Sequence, residues 1–172
     1  IMYKADMYQK DIYSINYKKL KDLGIKTLIF DLDNTIIEKG NYTVKKRLKD
    51  LFKSLKKSFK IIIISNTLHK TKIEKIANEL ELEYIMNARK PFSWGYKKAI
   101  LLSDEKNNHI CMIGDQLLTD ILGAKRMGYY CCLVDPIKKK ELIFTKFNRV
   151  IEYFLYKKLN KKYGIKRGSY YD

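Results

Sequence analysis

Thr27-Leu28-Ile29-Phe30-Asp31-Leu32-Asp33-Asn34-Thr35 is a short apolar run that breaks into two carboxylates one residue apart. Its first four residues have the length and the β-branched and aromatic content of a buried strand. Two acids at the C-terminal end of such a strand are costly, since like charges repel and burial penalises both. A divalent cation or a phosphate chemistry explains the arrangement. Outward from this stretch, β-branched runs alternate with helical patterns, the signature of a parallel α/β sheet. Strands are expected over 27–30, 61–64, 83–86, 110–113 and 130–134.

The intervals between strands read as helices. Val44, Leu48, Leu51, Phe52, Leu55 and Phe59 recur at helical spacing, with Lys45, Lys46, Arg47, Lys49, Lys53, Lys56 and Lys57 on the opposite side. Thr71 and Glu74 are spaced as a capping box ahead of an inward face of Ile73, Ile76, Ala77 and Leu80. Two more helices are expected near 93–102 and 116–127, the second stopped by Gly128. Residues 1–24 read as an N-terminal arm rich in Tyr and Ile that packs or binds. Residues 137–172 form a basic C-terminal segment, eleven basic residues against three acidic, with an apolar stripe of Ile143, Phe147, Val150, Ile151, Phe154, Leu155 and Leu159.

The chain of 172 residues suits one domain, and its 46% hydrophobic content is ordinary for a globular protein. Its balance of 36 basic against 19 acidic residues, net +17, is not. Such a charge favours polyanionic partners, namely nucleic acid, anionic lipid or phosphorylated substrates, unless it reflects a general Lys, Ile, Asn and Tyr bias. Cys111, Cys131 and Cys132 lie in apolar runs without metal-type spacing and read as reduced core residues of a cytoplasmic protein. The apolar runs fall well short of the ~20 residues of a membrane span, and charges interrupt the N-terminus where a signal peptide would sit.

In an open parallel sheet, ligands gather at the carboxyl ends of the strands. The chemistry-bearing residues fall there in order: Asp31 and Asp33, then Ser65 and Asn66, then Lys90, then Asp115 with Asp120 a turn beyond. The interval between each and the next suits one strand–helix crossover. A Mg²⁺ held by Asp31, Asp115 and the main-chain carbonyl of Asp33 would offset the repulsion between an anionic nucleophile and an anionic phosphate. Asp31 is then the candidate nucleophile and Asp33 the acid and base. Ser65, Asn66 and Lys90 are expected to bind the phosphate, with Thr35 and Asp120 in support.

These motifs resemble the haloacid dehalogenase-like (HAD) superfamily: DLDNT as the first motif, Ser65 the second, Lys90 the third and Gly114–Asp120 (GDQLLTD) the fourth. The resemblance implies a Rossmann-like fold, Mg²⁺ dependence and an aspartyl-phosphate intermediate. Asp33, two residues beyond Asp31, favours phosphatases over dehalogenases. Over about residues 8–160, ARKP (88–91), GDQLLTDILG (114–123) and FTKFNR (144–149) resemble the YqeG-type family of subclass IIIA. That family is similar to the mitochondrial phosphatidylglycerophosphate phosphatases of phospholipid synthesis. Ile36-Ile37 and Thr67 depart mildly from its usual pattern.

Residues 36–60 and 67–89 leave no room for a cap, so a single capless α/β domain with an open site is expected, able to take a phosphate presented on a large object. The basic amphipathic C-terminal stretch would then rest on anionic lipid at the inner membrane face, or pack as a helix with its lysines outward. The rival is a binding module on a HAD-like scaffold, contacting RNA, a ribosome-assembly factor or another protein through its basic surface and stacking tyrosines. Other phosphorylated macromolecules and small phosphate esters remain alternative substrates, and sequence leaves the oligomeric state open.

Overall fold

The computed structural model describes residues 1–138 and 146–172. In chain order the elements are β1 (Met7–Gln9), α1 (Tyr17–Asp22), β2 (Thr27–Asp31), α2 (Lys46–Leu55), β3 (Lys60–Ile64), α3 (Lys70–Leu80), β4 (Glu83–Ile85), α4 (Ser93–Ser103), β5 (Ile110–Gly114), a π-helical turn (Leu117–Leu122) running into α5 (Gly123–Arg126), β6 (Tyr130–Val134) and α6 (Lys146–Tyr163). All strands are parallel, in the order β1-β6-β5-β2-β3-β4. This is the Rossmann-like α/β architecture, and only α2 lies between β2 and β3, with no cap.

Alternation along each strand builds the two layers. Leu28, Phe30, Ile61 and Ile63 face α2 and α3, where Leu48, Phe52, Ile73 and Ile76 meet them. Ile29, Ile62, Ile64 and Met112 face the other side, against Tyr96, Ala99 and Ile121. Phe30 and Phe52 pack edge to face with centroids 5.0 Å apart. The three cysteines are free and buried in these layers.

Register then levels the strand ends. Asp31 pairs with Ile64, Phe30 with Ile113 and Gly114 with Leu133, so the residues just beyond β2, β3 and β5 emerge side by side.

Four features differ from the sequence expectation. The arm contributes a strand: β1 pairs with β6, and Tyr8 is fully buried. The capping box at Thr71 and Glu74 does not form, because α3 begins at Lys70 with His69 before it; Glu74 instead pairs with Lys70 and accepts from Tyr84. The helix expected near 116–127 opens with a wide π turn. The C-terminal stripe is split: Leu159 is buried and Ile151 and Leu155 half-buried, while Phe147, Val150 and Phe154 are exposed. Ile143 and the FT of FTKFNR lie outside the described residues. No helix among the described residues is long and apolar enough to cross a membrane.

Candidate active site

Asp31 closes β2, and the chain must turn at once. Asn34 makes that turn in the left-handed region, at φ 61°, a conformation Asn tolerates better than most residues. Its N–H donates to Ile37 O at 2.6 Å and its Oδ1 accepts from Lys39 N at 3.2 Å. The turn brings Thr35 back over the strand end. Its hydroxyl lies 3.2 Å from Asp31 Oδ2 and 3.1 Å from Asp115 Oδ1, bridging acids from neighbouring strands.

Lys90 reaches the same point from the edge of the sheet. Ala88 N donates to Ser65 O at 2.9 Å, tying the loop after β4 to the end of β3. The Asn66 amide then clamps the main chain of Lys90, accepting from its N–H at 2.7 Å and donating to its carbonyl at 3.0 Å. Ser65 is buried, and its Oγ accepts from Thr67 N at 3.1 Å. Thus held, the Lys90 ammonium lies 2.6 Å from Asp31 Oδ1 and 2.7 Å from Asp120 Oδ1. Burial pulls that ammonium down, but the charges of Asp120 and Asp31 outweigh it and leave it above the usual lysine value.

Asp120 folds back because of the π turn. Asp120 N and Ile121 N both donate to Gln116 O at 3.1 Å, and Asp120 Oδ2 accepts from Gln116 N at 3.1 Å. Gly114 is required here: a Cβ on it would stand 2.4 Å from the Asp120 carboxyl. Burial and the Asp31 charge raise Asp120 to about 6 against the pull of Lys90.

Asp31, Asp115 and Asp120 each offer a ligand oxygen, all within 4.8 Å of one another. Burial first, then the charges of Asp31 and Asp120, push Asp115 well above the carboxylate range, and its buried Oδ2 has no hydrogen-bond partner. An unpaired oxygen among hard carboxylate donors fits a divalent cation of the Mg²⁺ type. Asp33 is half-buried at the rim, and its side chain lies outside that cluster of three.

Two contributors escape the sequence reading. Lys72, on the first turn of α3, is buried, hydrogen-bonds to Asp33 and lies 5.1 Å from the Tyr42 ring centre. Its spacing of four before Ile76, on the inward face, was the available signal. Glu152 of α6 is also buried; its Oε1 accepts from Leu118 N at 2.7 Å, fastening α6 to the turn that carries Asp120. Burial raises this carboxyl to about 7. Its one sequence signal was an acid inside an apolar stripe.

Residues 4–138 match the family model described as mitochondrial PGP phosphatase. The chain is 34% identical over 158 residues to "Probable phosphatase YqeG" of Bacillus subtilis, covering 91% of each protein. It is 27% identical over 144 residues to the Arabidopsis thaliana phosphatidylglycerophosphate phosphatase 1, chloroplastic/mitochondrial, covering 77% of this chain and 40% of that protein. Among solved structures, the HAD-hydrolase YfnB of Bacillus subtilis bound to magnesium superposes with a TM-score of 0.52 at 15% identity, covering 69% of this chain and 90% of that one. A protein from Listeria monocytogenes serotype 4b gives 0.54 at 18% identity, covering 71% and 87%. At these identities the two structures bear on the fold.

Proposed function

The chain belongs to the mitochondrial PGP phosphatase family and is a phosphatase of the HAD type; from that premise we propose that it is a Mg²⁺-dependent hydrolase of phosphatidylglycerophosphate, acting through an aspartyl-phosphate on Asp31. The observation that carries the chemistry is the buried Asp31–Lys90–Asp120 chain beside the unpartnered oxygen of Asp115. The substrate rests on the family and on the capless, open site.

Asp31, Asp115 and the Asp33 carbonyl would hold the Mg²⁺, which supplies charge neutralisation for the attack of one anion on another. Lys90 and Thr35 hold the two oxygens of Asp31 and fix the direction of its carboxylate. One Asp31 oxygen, through a lone pair its hydrogen bond leaves free, attacks phosphorus in line, forming the acyl-phosphate bond while the bond to the leaving oxygen breaks. Asp33 donates its proton to that leaving alkoxide. It then takes a proton from a water attacking the same phosphorus, which releases inorganic phosphate and restores Asp31. Lys90 and Ser65 stand where the equatorial oxygens gather charge. Asn66 acts through Lys90, whose main chain it clamps, and Asp120 orients the ammonium. This reading sets the protein in the cytoplasm, at the inner face of a membrane.

The test is phosphate release from phosphatidylglycerophosphate in mixed micelles, with p-nitrophenyl phosphate and phosphosugars beside it and Asp31→Asn as control. Turnover of the lipid well above the soluble esters, dependent on Mg²⁺ and lost in the variant, is expected. Turnover of soluble esters alone refutes the substrate. No turnover by a folded, Mg²⁺-bound protein refutes the mechanism and favours a binding role.

A further inference from the structure

Every loop around the site leaves the C-terminal end of a parallel strand, so the mouth is one continuous rim. That rim carries large apolar side chains in water. Leu68, beyond β3, and Phe92, beyond β4, are each 71% exposed, and Trp94 is 46% exposed. On the other side of the central strands, Ile137, beyond β6, is 49% exposed. Each costs free energy in solvent; other exposed apolar side chains, such as Leu101 at 80% and Leu23 at 51%, stand elsewhere, but those of the rim bracket one opening.

The first turns of α6 extend the rim. Glu152 meets Leu118 just past β5, whereas Lys4, just ahead of β1, lies 5.6 Å from the ring centre of Tyr163 at the helix's far end. The helix therefore runs from the mouth to the opposite end of the sheet. Phe147, 72% exposed, stands at the mouth. Lys157, Lys158, Lys161 and Lys162 sit toward the opposite end, roughly 15–25 Å along a helix rising ~1.5 Å per residue.

Cations are set among the rim's apolar groups. Arg89 and Lys98 lie 5.9 and 5.4 Å from the Trp94 ring centre, while Lys70 and Lys138, exposed beside Leu68 and Ile137, are each ion-paired at the surface, to Glu74 at 3.6 Å and to Glu38 at 3.3 Å. Trp with flanking Arg and Lys suits the headgroup layer of a bilayer, where a ring is half immersed and a cation meets lipid phosphate. The buried acids Asp31, Asp115 and Asp120 stay in the recess between the flanks.

We propose that the mouth of the site is itself a membrane-contact surface: Leu68, Phe92 and Trp94 on one flank, and Ile137 and Phe147 on the other, seat in the headgroup layer of an anionic bilayer. The basic end of α6, the first candidate by sequence, stands at the wrong end of the domain for this contact. The proposal rests on the lipid-substrate reading for its purpose, while its evidence is the rim. So seated, the protein lets a terminal phosphate on a lipid headgroup rise into the recess while the acyl chains stay in the bilayer.

Trp94 is the chain's only tryptophan, so its emission reports on this surface alone. The full chain is titrated with vesicles of phosphatidylcholine, alone or with phosphatidylglycerol, neither carrying substrate. With anionic vesicles, Trp94 emission shifts to the blue and loses access to acrylamide, and added salt reverses both. Replacing Leu68 and Phe92 together by Ser weakens vesicle partitioning about tenfold, leaving p-nitrophenyl phosphate hydrolysis and circular dichroism unchanged. Vesicle binding without a change at Trp94 overturns the proposal, since another face then docks. Absence of binding also overturns it, as does protection of Trp94 by RNA in place of vesicles. Phosphate release from the lipid is a separate readout: its failure with Trp94 immersed sinks the substrate and leaves the surface standing.

Discussion

Replacing Lys90 by Met keeps most of the side chain's length and removes only its charge. The ammonium is held at 2.6 and 2.7 Å by Asp31 and Asp120, and all three side chains are at most 10% exposed. Removing one partner of a buried ion pair costs about 3–5 kcal/mol, because the remaining charge is left uncompensated. For a domain of 172 residues each kcal/mol is about 2–4 °C, so melting should fall by roughly 6–20 °C in chelator at pH 8. The pH dependence identifies the cause. Asp120 already stands at about 6, and Asp115 is also raised, first by burial and then by the charges of Asp31 and Asp120. A raised carboxyl contributes most below its unfolded value near ~4 and loses that contribution as pH rises through its folded value. Without Lys90, which pulls it down, Asp120 rises further, and the extra proton the folded variant carries narrows its deficit by about 1.4 kcal/mol per pH unit on acidification. The deficit should be clearly smaller at pH 5 than at pH 8, by up to about 3 kcal/mol, and Mg²⁺ at pH 8 should recover part of it. Thermal denaturation of both proteins at pH 5, 6.5 and 8 measures this. An equal deficit at pH 5 and pH 8 would refute the electrostatic account and point to lost packing.

Lys72→Met should lower turnover of soluble esters about 10–100-fold by freeing Asp33, with divalent-ion binding by calorimetry unchanged and Lys72→Arg restoring part of the rate. Gly114→Ala drives a methyl into the Asp120 carboxyl; a loss of both Mg²⁺ affinity and activity, in a chain that still folds, is the expected result. Phe52→Ala removes the edge-to-face partner of Phe30 and should cost about 3–5 kcal/mol in urea denaturation, at any pH. Glu152 is raised to about 7, so its contribution is largest below ~4.5 and is lost as pH rises through 7. Glu152→Gln should therefore flatten stability between pH 5 and pH 8, and an unchanged slope would count against that assignment.

The central sheet could be read directly because Leu28–Phe30, Ile61–Ile64 and Ile110–Ile113 are unbroken apolar runs, followed by Asp31, Ser65 and Gly114-Asp115. Such runs report burial on both faces. The edge could not be read so easily. Met7-Tyr8-Gln9 has no alternating pattern, and its pairing with β6 depends on a partner more than a hundred residues away. The order Asp31, Ser65, Lys90, Asp115 suggested a common end of the sheet, yet the Asn66 clamp and the Asp120 fold-back are set by loop geometry that no spacing encodes. Lys72 was hidden by its surroundings: among so many solvated lysines, one that turns inward has no distinguishing composition.

Asp31, Asp115 and Asp120 become neighbours only when β2 and β5 pair in register, and Lys90 joins them from the loop beyond β4. A chain in which β2 and β5 are unpaired or out of register has isolated acids and no cation site. Divalent-ion affinity is therefore a property of correctly paired central strands, and the ion, binding the native state and not the unfolded chain, deepens that basin by RT ln(1 + [L]/Kd). The same recess that serves the chemistry makes cation occupancy a checkpoint for the register of the central strands, sparing the correctly paired protein from proteolysis while leaving misregistered sheets exposed to it.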